Sequence, residues 1–218
     1  MSIAENVARI RAEMEAAALA CGRDPKSIQL CAATKMNDAD AVRQAIAGGV
    51  DLCGENRVQE FLSKYDALRG TVPLHLIGHL QTNKVKYIID KVKMIHSLDS
   101  LKLAAEIDKQ AKKRGIVIDV LVEVNCGEEE NKSGLFPSEV EEFCLCLSQF
   151  GNIRHRGFMT MAPKCEKKEE YFNYFQETSQ LVLDIWQEKL HNIYKNTIIC
   201  YVFSVLKELL WDFLRKMK

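Results

Sequence analysis

Residues 93–124 read KMIHSLDSLKLAAEIDKQAKKRGIVIDVLVEV. A short apolar run over Lys93–His96 gives way to a helix-length stretch from Ser100 to Arg114 that Gly115 closes. The chain then enters Ile116–Val124, its clearest β-branched run. Strand, crossover helix and strand in that order form a βαβ unit, which obliges the two strands to be parallel.

The same alternation extends in both directions. Upstream, Ser2 caps a helix reaching about Ala20, with Ile3, Val7, Ile10 and Met14 on one face, and Gly22 and Pro25 end it. Ile28–Ala33 reads as a buried strand, about Asp38–Ala47 as a helix, Val50–Cys53 as a second strand, and Asn56–Leu68 as a helix. Leu74–Ile77 is a third strand and Lys84–Ile89 a helix. Downstream, Pro137 opens a helix to about Leu147, Ile153–Phe158 is the sixth strand, and a long helix covers about Lys167–Leu190. Repeated alternation of this kind predicts a parallel sheet covered by helices, either an open doubly wound sheet or a closed β/α barrel.

Composition narrows the function classes. The chain has 218 residues, 47% of them apolar, which suffices for one barrel-sized core and excludes global disorder. Lys+Arg and Asp+Glu are 30 each, so the formal charge is zero and a nucleic-acid binder is disfavoured. No early signal peptide and no run of about 18 uncharged apolar residues is seen, which predicts a cytoplasmic protein without a membrane span. The eight cysteines contain no Cys-x-x-Cys pair, and the five histidines lack paired-ligand spacing, so reduced thiols and no metal site are expected. Tyr171, Phe172, Tyr174 and Phe175 have helix-face spacing and are read as packing residues.

In parallel α/β folds, functional groups gather where strands end. Here the strands run out into Thr34-Lys35, Gly54-Glu55-Asn56-Arg57, Gly78-His79-Leu80-Gln81, His96-Ser97, Asn125 and Met159-Thr160. A ring of strands would bring these groups to one mouth, whereas an open sheet would spread them along an edge, and this favours the barrel. Lys35 leaves a strand of apolar and small residues; an amine desolvated there is readily neutral and nucleophilic toward an aldehyde. A surface lysine at a strand end is the plainer reading of the same position. Gly54–Arg57 alone reads first as a helix start, and an Asn at a strand end can also orient a hydroxyl-bearing aromatic ring. His79 either enters the mouth or satisfies a backbone carbonyl.

Taken together, residues 31–36 (Cys-Ala-Ala-Thr-Lys-Met), 54–60 (Gly-Glu-Asn-Arg-Val-Gln-Glu), 75–87, 96–99 (His-Ser-Leu-Asp), 122–134 and 156–163 resemble the pyridoxal phosphate homeostasis protein family, in order and spacing, from about Met1 to Leu190. The resemblance implies a TIM-type (β/α) barrel of eight strands, similar to the N-terminal domain of alanine racemase. It also implies pyridoxal 5′-phosphate (PLP) held as a Schiff base on Lys35. It places Asn56 and Met159 in the cofactor pocket and His79 and Ser97 in matching motifs. It further implies a role in intracellular vitamin B6 and amino-acid balance without catalytic turnover. PLP and apo-PLP enzymes are the expected partners, and a monomer is the expected state.

The match stops at about Tyr194, which divides the chain into a barrel over 1–194 and an atypical tail over 195–218. The family's Ser-Met-Gly-Met-Ser and Arg-Ile-Gly-Thr type motifs, on strands seven and eight, are absent. A shifted reading frame or a diverged gene copy would give such a tail. Thr197–Val205 still reads as a strand and Leu206–Met217 as an amphipathic helix. Because β/α barrels typically bind phosphate at the loops after strands seven and eight, weakened PLP affinity is expected. The alternative function is a PLP-dependent amino-acid racemase, which the lack of a second, β-rich domain disfavours. An aldolase-like use of Lys35 is less consistent with the six matched motifs.

Overall fold

The computed structural model describes residues 2–188 and 198–202. Seven strands form one sheet in sequence order: β1 (Cys31–Ala33), β2 (Leu52–Glu55), β3 (Leu74–Leu76), β4 (Met94–Leu98), β5 (Ile118–Val124), β6 (Ile153–Met161) and β7 (Ile198–Val202). Every neighbouring pair is parallel. The helices are α1 (Ile3–Ala20), α2 (Ala39–Ala47), α3 (Val58–Leu68), α4 (Val85–Ile88), α5 (Leu101–Arg114), α6 (Val140–Leu147) and α7 (Lys168–Glu188). One helix precedes β1 and a helix follows each of β1 to β6, as the alternation in the sequence requires.

The sheet is curled, with different chemistry on its two faces. Its outer face packs Ala32, Cys53, Leu76, Ile95, Val120, Val122, Phe158 and Ile199 against helix residues such as Phe61, Ile88 and Ile107. Its inner face carries a separate cluster of Met94, Leu121, Met159, Ile198 and Cys200. Cys31 on β1 and Cys200 on β7, the two edge strands, both face this lumen. Burial raises the Cys31 thiol on β1 far above its ordinary range, and charge interaction with Cys200 on β7 adds to the rise. The seven strands therefore form a partial barrel, the architecture expected, with no eighth strand among the described residues.

Two bulges tune the curl. The register between β4 and β5 shifts between Ile95 and Leu98, so that both side chains reach the outer core and Ser97 lies at the irregularity. A second shift, where β5 meets β6 between Val120 and Leu121, falls at Arg156. Gly157 follows it with φ +142°, and a Cβ there would stand 1.8 Å from the Ile198 carbonyl oxygen. Only glycine lets β7 dock on β6 at this point.

Several boundaries move from their sequence-based positions. The first strand begins at Cys31 and not Ile28, because the Leu30 amide donates to the Asp51 carboxylate (2.6 Å). The Val50 amide bonds back to the Ala45 carbonyl of α2, so β2 starts two residues later than expected. Strand β6 continues past Phe158 to Met161 because β5 and β7 pair with it on both sides. The strand expected over Thr197–Val205 is β7, and the helix expected over Leu206–Met217 lies outside the described residues. Tyr171 and Phe175 pack with Ala17 and Ala162, tying α7 to α1.

Candidate functional site

The mouth of the partial barrel is built from the residues that follow the strands. On β1, Cys31 faces the lumen, since a Cβ at Gly54 would meet both the Cys31 sulfur and the Ile77 side chain. Strand alternation turns Ala32 outward to the core and Ala33 inward. Thr34 then turns outward again and is buried, its hydroxyl donating to Glu55 Oε1 (2.6 Å). Its amide extends the ladder to the Gly54 carbonyl (2.9 Å). Lys35 follows at the position whose parity matches Cys31 and Ala33, in a turn whose next residue, Met36, has φ +62°.

Lys35 is exposed, which bears out the surface-lysine reading of its position and corrects the expectation of a desolvated amine. The cause is topological: β1 is an edge of the seven-stranded sheet, so one flank of the Lys35 turn has no neighbouring strand among the described residues. The backbone around Lys35 is nevertheless held tightly. Its carbonyl accepts from Asn37 Nδ2 (3.0 Å) and the Met36 amide donates to Glu60 Oε2 (2.9 Å).

Asn56 lies one residue past β2 and opposite Glu55 in strand parity. Its side-chain oxygen is buried and has no hydrogen-bond partner. Gly78 packs directly on the Asn56 backbone, where a Cβ would fall 2.4 Å from the Asn56 carbonyl oxygen. Ser97, fully buried, donates its hydroxyl to the Gly78 carbonyl (2.7 Å). Asn56, Gly78 and Ser97 thus form one contiguous arc of the mouth, with Ser97 acting as a strut. His79 is exposed; its Nδ1 stands 3.3 Å from Asp99 Oδ2 and 3.5 Å from Ser133 Oγ, which links the β3, β4 and β5 loops. Met159 is buried deeper, opposite Glu123 in the β5–β6 register and packed with Met94 and Leu121, so it forms part of the lumen wall beneath the mouth.

Below the mouth the lumen is unexpectedly polar. His75 on β3 and His96 on β4 are buried and share a 2.8 Å hydrogen bond. Burial lowers His75 to about 4, partly opposed by the Asp119 carboxylate. Burial, reinforced by His75, lowers His96 to about 3. Both are neutral at physiological pH. Glu123 is raised to about 7, by burial first and by the Asp99 charge second. At the N-terminal end of the strands, Asp119 accepts from Arg154 (2.6 Å). Of these lumen groups the sequence singled out His96, as a strand end, and not its contact with His75 or the burial of Glu123. The signal available was their alternation with apolar residues, as in Leu-His-Leu at 74–76 and Val-Glu-Val at 122–124.

These residues fit a hydroxyl-bearing aromatic aldehyde. Lys35 carries a primary amine in the turn after β1, and an unpartnered buried amide oxygen (Asn56) offers an acceptor for a ring hydroxyl or similar donor. The apolar Met159–Leu121–Met94 wall provides a surface beneath a planar ring. Among the described residues, no group of three or more His, Cys, Asp or Glu side chains is placed to hold a metal ion, and no helix is long and apolar enough to cross a membrane.

Comparison with known proteins agrees with this geometry. Residues 2–197 match a family model described as alanine racemase, N-terminal domain. A pyridoxal phosphate homeostasis protein of Aquifex aeolicus is 40% identical over 189 residues, covering 86% of this chain and 83% of that protein. The structure of PipY from Synechococcus elongatus with PLP bound superposes with a TM-score of 0.71 at 26% identity, covering 88% of this chain and 97% of the other. An alanine racemase from Clostridium difficile shares the fold (TM-score 0.70, 18% identity), covering 89% of this chain and 50% of the racemase.

Proposed function

The chain belongs to the pyridoxal phosphate homeostasis protein family, and from that premise we propose that it binds PLP as a Schiff base on Lys35 and serves in intracellular PLP and amino-acid balance. Bound PLP supplies an electrophilic aldehyde and a planar ring. The protein's contribution is positional. The Lys35 turn presents the amine at the mouth, and Asn56 offers its buried oxygen to the edge of the ring. The arc through Gly78 and Ser97 keeps Asn56 in place, and Met159 lines the floor. His79, tied to Asp99, stands at the rim and limits access from the β4 side.

The observation that carries the reading is the unpartnered Asn56 oxygen, an acceptor kept buried beside the Lys35 strand. Leaving it unsatisfied costs on the order of 1–3 kcal/mol, a penalty that a ligand donor removes. A carrier that transfers the cofactor to apo-enzymes is the function we favour, and a racemase is the alternative. The experiment is an absorbance spectrum of the purified protein with added PLP, compared with Lys35→Ala. The wild-type protein develops a Schiff-base band that the variant lacks. Identical spectra would remove Lys35 from the account. A band that changes catalytically on adding D- or L-alanine, with inversion of the amino acid, would favour the racemase.

A further inference from the structure

We propose that the buried pair Glu55–Lys64 is a positioning device that fixes the Lys35 turn and, through the same strand end, Asn56. The proposal rests on the reading of Lys35 as the cofactor lysine. Lys64 sits in the middle of α3, where the sequence gives it the look of an ordinary helix-face charge, yet its side chain is only 10% exposed. Its amine donates to Glu55 Oε1 (2.6 Å) and to the Thr34 carbonyl (2.8 Å). The Thr34 hydroxyl donates to the same Glu55 oxygen. Three charge-assisted or side-chain hydrogen bonds therefore converge one peptide bond before Lys35.

The far side of the turn is held from the same helix. Glu60, four residues before Lys64 and hence on the same helical face, accepts from the Met36 amide. Met36 adopts a left-handed backbone conformation that a non-glycine residue enters only when its surroundings hold it there. Lys35 lies beside an edge strand and is exposed, so its own packing does little to set its direction. Helix α3 supplies that direction from outside. Strand parity then links the two cofactor contacts: Glu55 faces Lys64, and the next residue, Asn56, faces the mouth. A buried ion pair seldom stabilises a fold more than a well-packed apolar pair of similar volume. Fixed geometry at Lys35 and Asn56 is what the charged pair adds.

Replacing the pair by apolar residues of similar volume separates positioning from stability. The double variant Glu55→Leu/Lys64→Met removes the grip on Thr34 while keeping buried volume and leaving no charge unpaired. Its melting temperature is compared with wild type, amide exchange of Lys35, Met36 and Asn37 is followed in the cofactor-free protein, and the rate at which borohydride traps PLP on Lys35 is measured. The proposal expects a melting temperature near wild type, exchange at these amides faster by about tenfold or more, and trapping slowed by a similar factor. Should the double variant melt early, Thr34→Val, which deletes only the hydroxyl link, takes the same measurements with a smaller expected change in the same direction. Unchanged exchange and trapping in a folded variant would overturn the proposal. If wild type is not trapped at Lys35, the cofactor reading fails, and the exchange measurement still decides whether the pair orders the turn.

Discussion

Gly157→Ala is expected to unseat β7 without touching any residue assigned to the cofactor. Residue 157 has φ +142°, and an added Cβ would lie 1.8 Å from the Ile198 carbonyl oxygen and 2.6 Å from its nitrogen. Both are backbone atoms, so no side chain can swing aside. An alanine forced into that conformation costs about 2 kcal/mol. Pushing β7 away loses at least one ladder hydrogen bond, worth about 1 kcal/mol. With a urea slope of about 2 kcal/mol/M, a loss of about 3 kcal/mol lowers the unfolding midpoint by about 1.5 M. A local reporter accompanies the global one. Cys200 on β7 is partly buried against Met94, Leu121 and Met159, and burial pushes its thiol up to about 12, so slow reaction with thiol reagents is expected in the wild type. In the variant, peptide mapping after thiol labelling shows Cys200 modified under native conditions. A midpoint equal to wild type together with a protected Cys200 would refute the claim that Gly157 governs the docking of β7.

Further expectations follow from the lumen and the turn. Glu123 is raised from 4.5 to about 7, so the native state binds a proton that the unfolded chain has lost between those values. Its contribution to stability therefore falls as pH rises from about 4.5 to about 7, by at most about 3 kcal/mol, and levels off above. His75 and His96, lowered to about 4 and about 3, give the opposite slope below 6.5. The difference in urea midpoint between wild type and Glu123→Gln across pH 4–8 isolates the carboxyl, and a flat difference would contradict its raised proton affinity. Lys64→Ala leaves Glu55 buried without its partner and is expected to cost about 3–5 kcal/mol in chemical denaturation, far more than Lys35→Ala at an exposed position. A near-neutral Lys64→Ala would show that Glu55 finds water instead. Absorbance titration of this chain is expected to give weaker PLP binding than the Aquifex aeolicus relative, because residues 195–218 lack the Ser-Met-Gly-Met-Ser type motif at the seventh strand, near which β/α barrels typically bind phosphate; equal affinity would mean that other residues hold the phosphate.

Much of this architecture was legible because the alternation of strands and helices is written in local signals. Ser2 and Gly115 mark helix ends by capping and by a left-handed conformation, and both act as read. The strand starts near Ile28 and Val50 were misplaced because Asp51 reaches across to the Leu30 amide and the amide of Val50 bonds back to α2, tertiary and capping choices that apolar content cannot reveal. At the site, Asn56, Ser97 and His79 do gather on one mouth. The sequence left Lys35 open between a desolvated amine and a surface lysine, because its exposure depends on which strand, if any, lies beside β1. Lys64 was invisible for a related reason. On a helix of mixed polarity a lysine reads as solvated, and only the fold brings Glu55 and the Thr34 carbonyl within 3 Å of it. The His75–His96 contact joins residues 21 positions apart on neighbouring strands, a pairing fixed by β3–β4 register alone.

Borohydride reduction of the protein incubated with PLP, followed by peptide mass mapping, tests the central claim most directly. The account predicts a single phosphopyridoxyl label on the peptide containing Lys35, absent from Lys35→Ala. A label on another lysine with Lys35 unmodified, or no label under conditions that mark the Aquifex aeolicus relative, would contradict it.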